Sequence, residues 1–295
     1  GITAGIISIL VHCLFDANLH QFPIVLLFSL YISFLIYLSG DIKKSIYVFI
    51  PKKSYLFLTL FLLLLTGFLI MRSGLGFFYF QKGDSNLKRG EFEKASDNYR
   101  TAVFFDPGNT RYHKALIQSI WFNGKIPEIT RCKDALKKAI LARKINSVDP
   151  EIRAIKGNLY FSLSRFTKNK KERRENLDNS ILALKEALKI DPYNPFYRKE
   201  LGLYYVYTGN YNRGEKELLK IVEMEPNFLP ALIVLGNIYA KKGEFDKAVR
   251  EYKEALKIKN KYQNKNLRDD WDRQFLNIDA KIIMEKISIL ENHKR

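Results

Sequence analysis

Leu232-Ile-Val-Leu-Gly236-Asn-Ile-Tyr239-Ala-Lys-Lys-Gly243-Glu-Phe-Asp-Lys-Ala248-Val-Arg-Glu-Tyr252-Lys-Glu-Ala255 decides how the larger part of this chain folds. The small and aromatic residues sit where two helices joined by a tight turn need them. Gly236 lets the helices approach closely, Gly243 accommodates the turn, and Ala248 and Ala255 lie where the helices touch. Tyr239 and Tyr252 fill the groove between them. The spacing also recurs: Gly202, Tyr205, Gly209, Tyr211 and Pro226 return 34 residues later as Gly236, Tyr239, Gly243, Phe245 and Asn260. A fixed period of this size marks a stack of identical helix pairs, none of which buries its apolar face alone.

This period and pattern resembles the tetratricopeptide repeat. Upstream copies are less regular. Ala95-x3-Tyr99-x2-Ala102-x4-Pro107 matches a second helix, preceded by Gly83 and Gly90. Residues 110–192 are irregular: Ala135, Ala139 and Ala142 mark one second helix, closed by Asp149-Pro150. The next unit opens on Gly157-x2-Tyr160 and ends with Ser180, Leu184, Ala187 and Pro192. The turn within that unit carries about eleven extra residues, the basic tract Phe166–Asn176, which reads as a solvated loop. About five units over 73–260 are expected, followed over 261–295 by an amphipathic capping helix around Arg273–Leu290. The first helices line a concave surface. On the repeat register it includes Asp84, Lys88, Asn158, Phe161, Lys199, Tyr207, Asn237 and Lys241. These suit an extended peptide or a polar glycan, although side chains at such positions also serve to cover the core.

Composition divides the chain. Of 49 Lys and Arg and 31 Asp and Glu, only five basic and two acidic residues lie in 1–72, leaving 44 and 29 for 73–295. A mean hydropathy of −0.19 therefore averages an apolar region and a basic one. The apolar part reads as a membrane region with three spans, one truncated and ending near Phe15, the others over about 22–39 and 55–71. The fold class predicted for the whole is thus all-α, transmembrane helices followed by an α-solenoid. The loop between the later spans carries four Lys, whereas Asp16–Pro23 carries no Lys or Arg. The positive-inside tendency puts the Lys-rich loop in the cytoplasm and the repeats outside, at a bacterial inner membrane. His12 and Asp16 share a helix face near the outer boundary, with His20 just beyond. Ionisable residues at such depth are functional candidates, or else bond a neighbouring helix and cap their own.

Val11-His-Cys-Leu-Phe-Asp-Ala-Asn-Leu-His-Gln-Phe-Pro23, followed by an apolar span, resembles the end of the membrane domain of the O-antigen ligase and polymerase family. Ala17 stands where that family carries an aromatic residue. The resemblance covers about forty residues. It implies a parent glycosyltransferase that moves a glycan from a lipid-pyrophosphate carrier, with a C-terminal repeat domain for protein or acceptor interaction. The family's catalytic loop lies upstream of this motif, so no catalytic residue is carried over and this chain alone is expected to be inactive.

No Walker loop, dinucleotide fingerprint, zincin motif or nucleophile elbow is present. His113 and His293 have no ligand partners at metal spacing, and Cys13 and Cys132 make no framework, so neither cofactor nor metal is expected. The net charge of +18 suits membrane lipid, or a lipid-linked glycan through the parent protein, rather than nucleic acid. The alternative to the glycosyltransferase reading is a non-enzymatic, membrane-anchored scaffold for protein–protein interaction in envelope assembly.

Overall fold

The computed structural model describes residues 52–262 and 270–292, and among them the chain is all-α with no strand. It divides into two compact units, 1–112 and 113–295. The predicted span ending near Phe15, the span over 22–39, and His12, Asp16 and His20 lie outside the described residues.

In the first unit, α1 (Lys52–Lys88) packs against α2 (Phe92–Phe105). The third predicted span, 55–71, forms the start of α1, and the helix runs past residue 72 without a break into the first repeat. Among the described residues no helix is long and apolar enough to cross a membrane. Gly90 ends α1 at φ 74, where its N–H and that of Glu91 close back on Leu87 and Asn86. Ala95, Tyr99 and Ala102 form the buried stripe of α2. The Tyr99 ring lies so close to Gly83 that a Cβ there would stand 2.5 Å from it. Phe80 stacks on Tyr112 and touches Tyr99, closing the small aromatic core.

The chain continues as α3 (Thr110–Trp121), then α4 (Glu128–Ile145), α5 (Pro150–Phe166), α6 (Lys170–Ile190), α7 (Pro195–Tyr207), α8 (Tyr211–Met224), α9 (Leu229–Lys241) and α10 (Phe245–Tyr262). Two starts use one device, an Asx cap before proline: Asp149 and Asn194 each accept two backbone N–H groups, and Pro150 and Pro195 occupy the first helical turn. Gly209 and Gly243, at φ 80 and 76, make the turns within α7–α8 and α9–α10. Between successive pairs, Leu218, Ile221, Phe228, Leu235, Ile238 and Tyr252 form one apolar cluster. Removing a Leu or Ile of this kind from water contributes about 1.5–3 kcal/mol.

Two sequence expectations change here. Of the Phe166–Asn176 tract only 167–169 form a loop. Asn169 caps α6 by accepting from the N–H groups of Lys171 and Glu172, and the excess residues extend that helix by exposed turns of good helix formers. The C-terminal cap is likewise two helices, α11 (Asp270–Phe275) and α12 (Ala280–Asn292), rather than one over Arg273–Leu290. Ile283 and Ile287 of α12 are buried in the same cluster as Tyr252, and α10 runs to Tyr262 before the cap begins.

Candidate groove on the second unit

Helices α7, α9 and α12 jointly line a concave groove. Its larger part, about 480 Å³, has a floor of Leu203, Val206 and Val234, with Asn237, Lys241 and Lys286 above it. A second part of about 320 Å³ shares Leu203, Val234 and Lys286 and adds Lys199 and Ile282. Apolar side chains and lysines line both parts, and Asp279 places one carboxylate in the second. Lys199 is paired with Glu200 at 2.8 Å, whereas Lys241 lies 6.0 Å from the Tyr211 ring and Lys286 lies 5.8 Å from the Tyr252 ring.

Asn237 is the polar centre. Its Oδ1 accepts from the Tyr252 hydroxyl at 2.8 Å and from Lys286 Nζ at 2.6 Å. Its Nδ2 donates to no other described residue, so two amide hydrogens remain for a ligand. Burial pushes the Tyr252 hydroxyl up to about 12, so it stays a donor through the physiological range. Beside the groove, Glu215 accepts from Tyr239 at 3.0 Å and from Lys242. Burial raises that carboxyl's pKa, but the hydrogen bonds from Lys242 and Tyr239 and the charges of Lys242 and Lys247 outweigh it and leave a net lowering.

The eight residues read from the register are placed unequally. Lys199, Asn237 and Lys241 line the groove. Tyr207 and Phe161 meet edge to face at 5.0 Å, and Phe161 stacks on buried Tyr204 at 4.1 Å. Asn158 accepts from the Tyr204 hydroxyl at 2.5 Å, so it seals α5 against α7. In the first unit Asp84 accepts from Tyr99 at 2.6 Å, and Lys88 is exposed at the end of α1. Leu203, Val206, Val234 and Lys286 were missed. The first could have been found, because Leu203 precedes Asn237 by the 34-residue period; Lys286 could not, because α12 carries no copy of the motif.

Residues 230–262 match the tetratricopeptide repeat. Over 88 residues, 30% of this chain, the sequence is 31% identical to anaphase-promoting complex subunit 3 of Dictyostelium discoideum. The chain spans 9% of the length of that relative. Among solved structures it is similar to a thermophilic tetratricopeptide-repeat protein of Thermus thermophilus, with TM-score 0.51 and 16% identity over 64% of this chain and 97% of that one. It is also similar to the MamA protein, with TM-score 0.50 and 22% identity over 66% of this chain and 97% of that one. These likenesses show the fold, an all-α solenoid of tetratricopeptide repeats.

Proposed function

We propose that this chain is a membrane-attached repeat scaffold whose α7–α9–α12 groove binds a peptide segment of a partner protein, one that carries apolar side chains and carboxylates. The groove's make-up carries the reading. Leu203, Val206 and Val234 offer an apolar floor, Lys241 and Lys286 offer cations, and Asn237 offers amide donors for a peptide carbonyl. The test is titration calorimetry of the full chain with synthetic peptides of equal length and apolar content bearing zero, two or four carboxylates. Affinity is expected to rise with carboxylate number and to fall with salt. Lys241→Glu is expected to weaken the four-carboxylate peptide by about 1 kcal/mol, and Val234→Asp to abolish binding. Affinities indifferent to charge and to both variants would refute it.

Membrane attachment is supported by the start of α1, where Phe57 is 74% and Leu64 73% exposed and Leu60, Phe61, Phe68 and Met71 are exposed beside them. A contiguous apolar surface of this kind calls for a covering medium. On the charge asymmetry of the flanking loops, that surface sits in a bacterial inner membrane and the repeats face outward. Maleimide labelling from outside spheroplasts of a cysteine placed at exposed Lys171, in a Cys13→Ser background, tests the orientation. Cys132 is buried, with its thiol pushed up by burial, and contributes little background. Absence of labelling refutes the outward orientation.

The resemblance over 11–23 supports a second, wider reading, in which the scaffold is the C-terminal part of an O-antigen ligase- or polymerase-like transferase. Alanine replacement of His12 and Asp16 in the full-length protein, with glycan transfer as readout, tests it. Unimpaired transfer sinks it.

A further inference from the structure

The first unit holds a cleft of about 670 Å³ between α1 and the turn that joins α2 to α3. Arg72 and Arg111 line it, with Phe77 and Phe105 as apolar walls. Arg111 lies 4.6 Å over the Phe80 ring, which fixes its guanidinium, and Arg72 donates to the carbonyl of Phe104 at 3.3 Å. Neither guanidinium is ion-paired with a carboxylate among the described residues. Asp106 also lines the cleft, and two guanidinium groups against one carboxylate leave it a surplus positive charge.

Position gives this charge a meaning. The exposed apolar run of α1 ends at Met71, and Arg72 follows it directly. At 1.5 Å per residue, Arg72 to Phe77 occupy roughly the next 8 Å, about the depth of a head-group layer. Exposed Phe77, Phe78 and Phe104 carry apolar surface on to the neighbourhood of the cleft.

From this we infer that the cleft binds the phosphate of an anionic phospholipid head group, held by Arg72 and Arg111. A guanidinium suits phosphate oxygens because it offers paired donors in one plane. The inference rests on the membrane attachment proposed above and adds to it a specific lipid site.

The test uses the full chain in nanodiscs of phosphatidylglycerol and phosphatidylcholine with identical acyl chains, followed by native mass spectrometry of the lipid retained on release. The wild type is expected to retain phosphatidylglycerol preferentially. Each of Arg72→Gln and Arg111→Gln should lower that preference about fivefold, and the pair about thirtyfold. Gly74→Leu is the second variant, because Gly74 lines the cleft and a Cβ there meets nothing within 4 Å, so leucine adds bulk at the cleft without removing charge. It should also lower retention, whereas Lys125→Gln in the other unit should not. Equal retention of both lipids, or an unchanged preference in all the cleft variants, overturns the inference. Displacement of bound lipid by millimolar inorganic phosphate overturns it in favour of a soluble phosphate ligand. A chain that enters no nanodisc refutes membrane attachment itself, a separate outcome.

Discussion

Gly236→Ala should destabilise α9–α10 even though alanine is the better helix former. A Cβ at Gly236 would stand 2.3, 2.6 and 2.8 Å from Cε1, Cδ1 and Cζ of Tyr252. Ordinary contact needs about an ångström more, so the ring has to move. It is poorly placed to do so, being 1% exposed with its hydroxyl held by Asn237 at 2.8 Å. Overpacking of this degree costs about 3 kcal/mol. The helix-propensity gain of Ala over Gly returns about 1 kcal/mol, so the net loss is about 2 kcal/mol. Hydrogen exchange of the α9 and α10 amides reads this locally, which suits repeats that do not unfold as a single step. A control fixes the sign: Gly74 of α1 has no neighbour within 4 Å of its Cβ position, so Gly74→Ala should stabilise by up to about 1 kcal/mol. A second control comes from the preceding repeat, where Gly202 faces Leu218 with a Cβ clearance of 3.1 Å. Gly236→Ala combined with Tyr252→Leu should therefore cost at least 1 kcal/mol less than the two single losses summed. Undiminished α9–α10 protection in Gly236→Ala alone would refute the close-approach argument.

Gly214→Ala should be at least as damaging, because its Cβ would meet the Gly202 carbonyl oxygen at 2.9 Å and backbone cannot rotate away; chemical denaturation followed by circular dichroism checks it. Tyr99→Phe removes the hydroxyl bonded to Asp84 and should cost about 1 kcal/mol in the first unit, read by exchange in α2. For pH, Glu215 sits below its ordinary value when folded, so its contribution is present above the unfolded carboxylate pKa and is lost as pH falls through the folded one. Tyr239 is pushed up to about 12, by burial and then by its bond to Glu215, so its contribution holds below about 10 and is lost as pH rises toward 12. Glu215→Gln should flatten the acid limb of a melting-temperature profile, and Tyr239→Phe the alkaline limb. Deleting α12 after Asp279 uncovers the cluster that Ile283 and Ile287 bury and should lower stability by about 3–6 kcal/mol, with protection lost first in α9 and α10.

The repeat itself was legible because its residues act locally. Gly243 and Gly209 are glycines at positive φ, and Gly236 is a glycine because a tyrosine sixteen residues later fills its space, so period and identity follow from one geometry. The extension of α6 was not legible from the repeat register, which assigns those residues to a turn. It follows from the Asn169 cap and helix-forming charged residues, a signal that competes with the period. The groove was half legible. Lys199, Asn237 and Lys241 fall on the register, but the same register offered Asn158 and Phe161, which Tyr204 engages. Whether a first-helix position faces a ligand or a neighbouring repeat depends on the side chain across from it, and that lies 46 residues away for Asn158. Lys286 lies beyond any repeat copy, and only folding brings it to Asn237.

Site-specific photocrosslinking of the full chain in cells tests the peptide-binding groove most directly. A benzophenone side chain placed at Val234 on the groove floor should give a discrete cross-linked product that Lys286→Glu abolishes. The same probe at exposed Leu219 of α8 should give none. A discrete product from Leu219 with none from Val234, or one from Val234 untouched by Lys286→Glu, would contradict the assignment of this groove as the partner-binding surface.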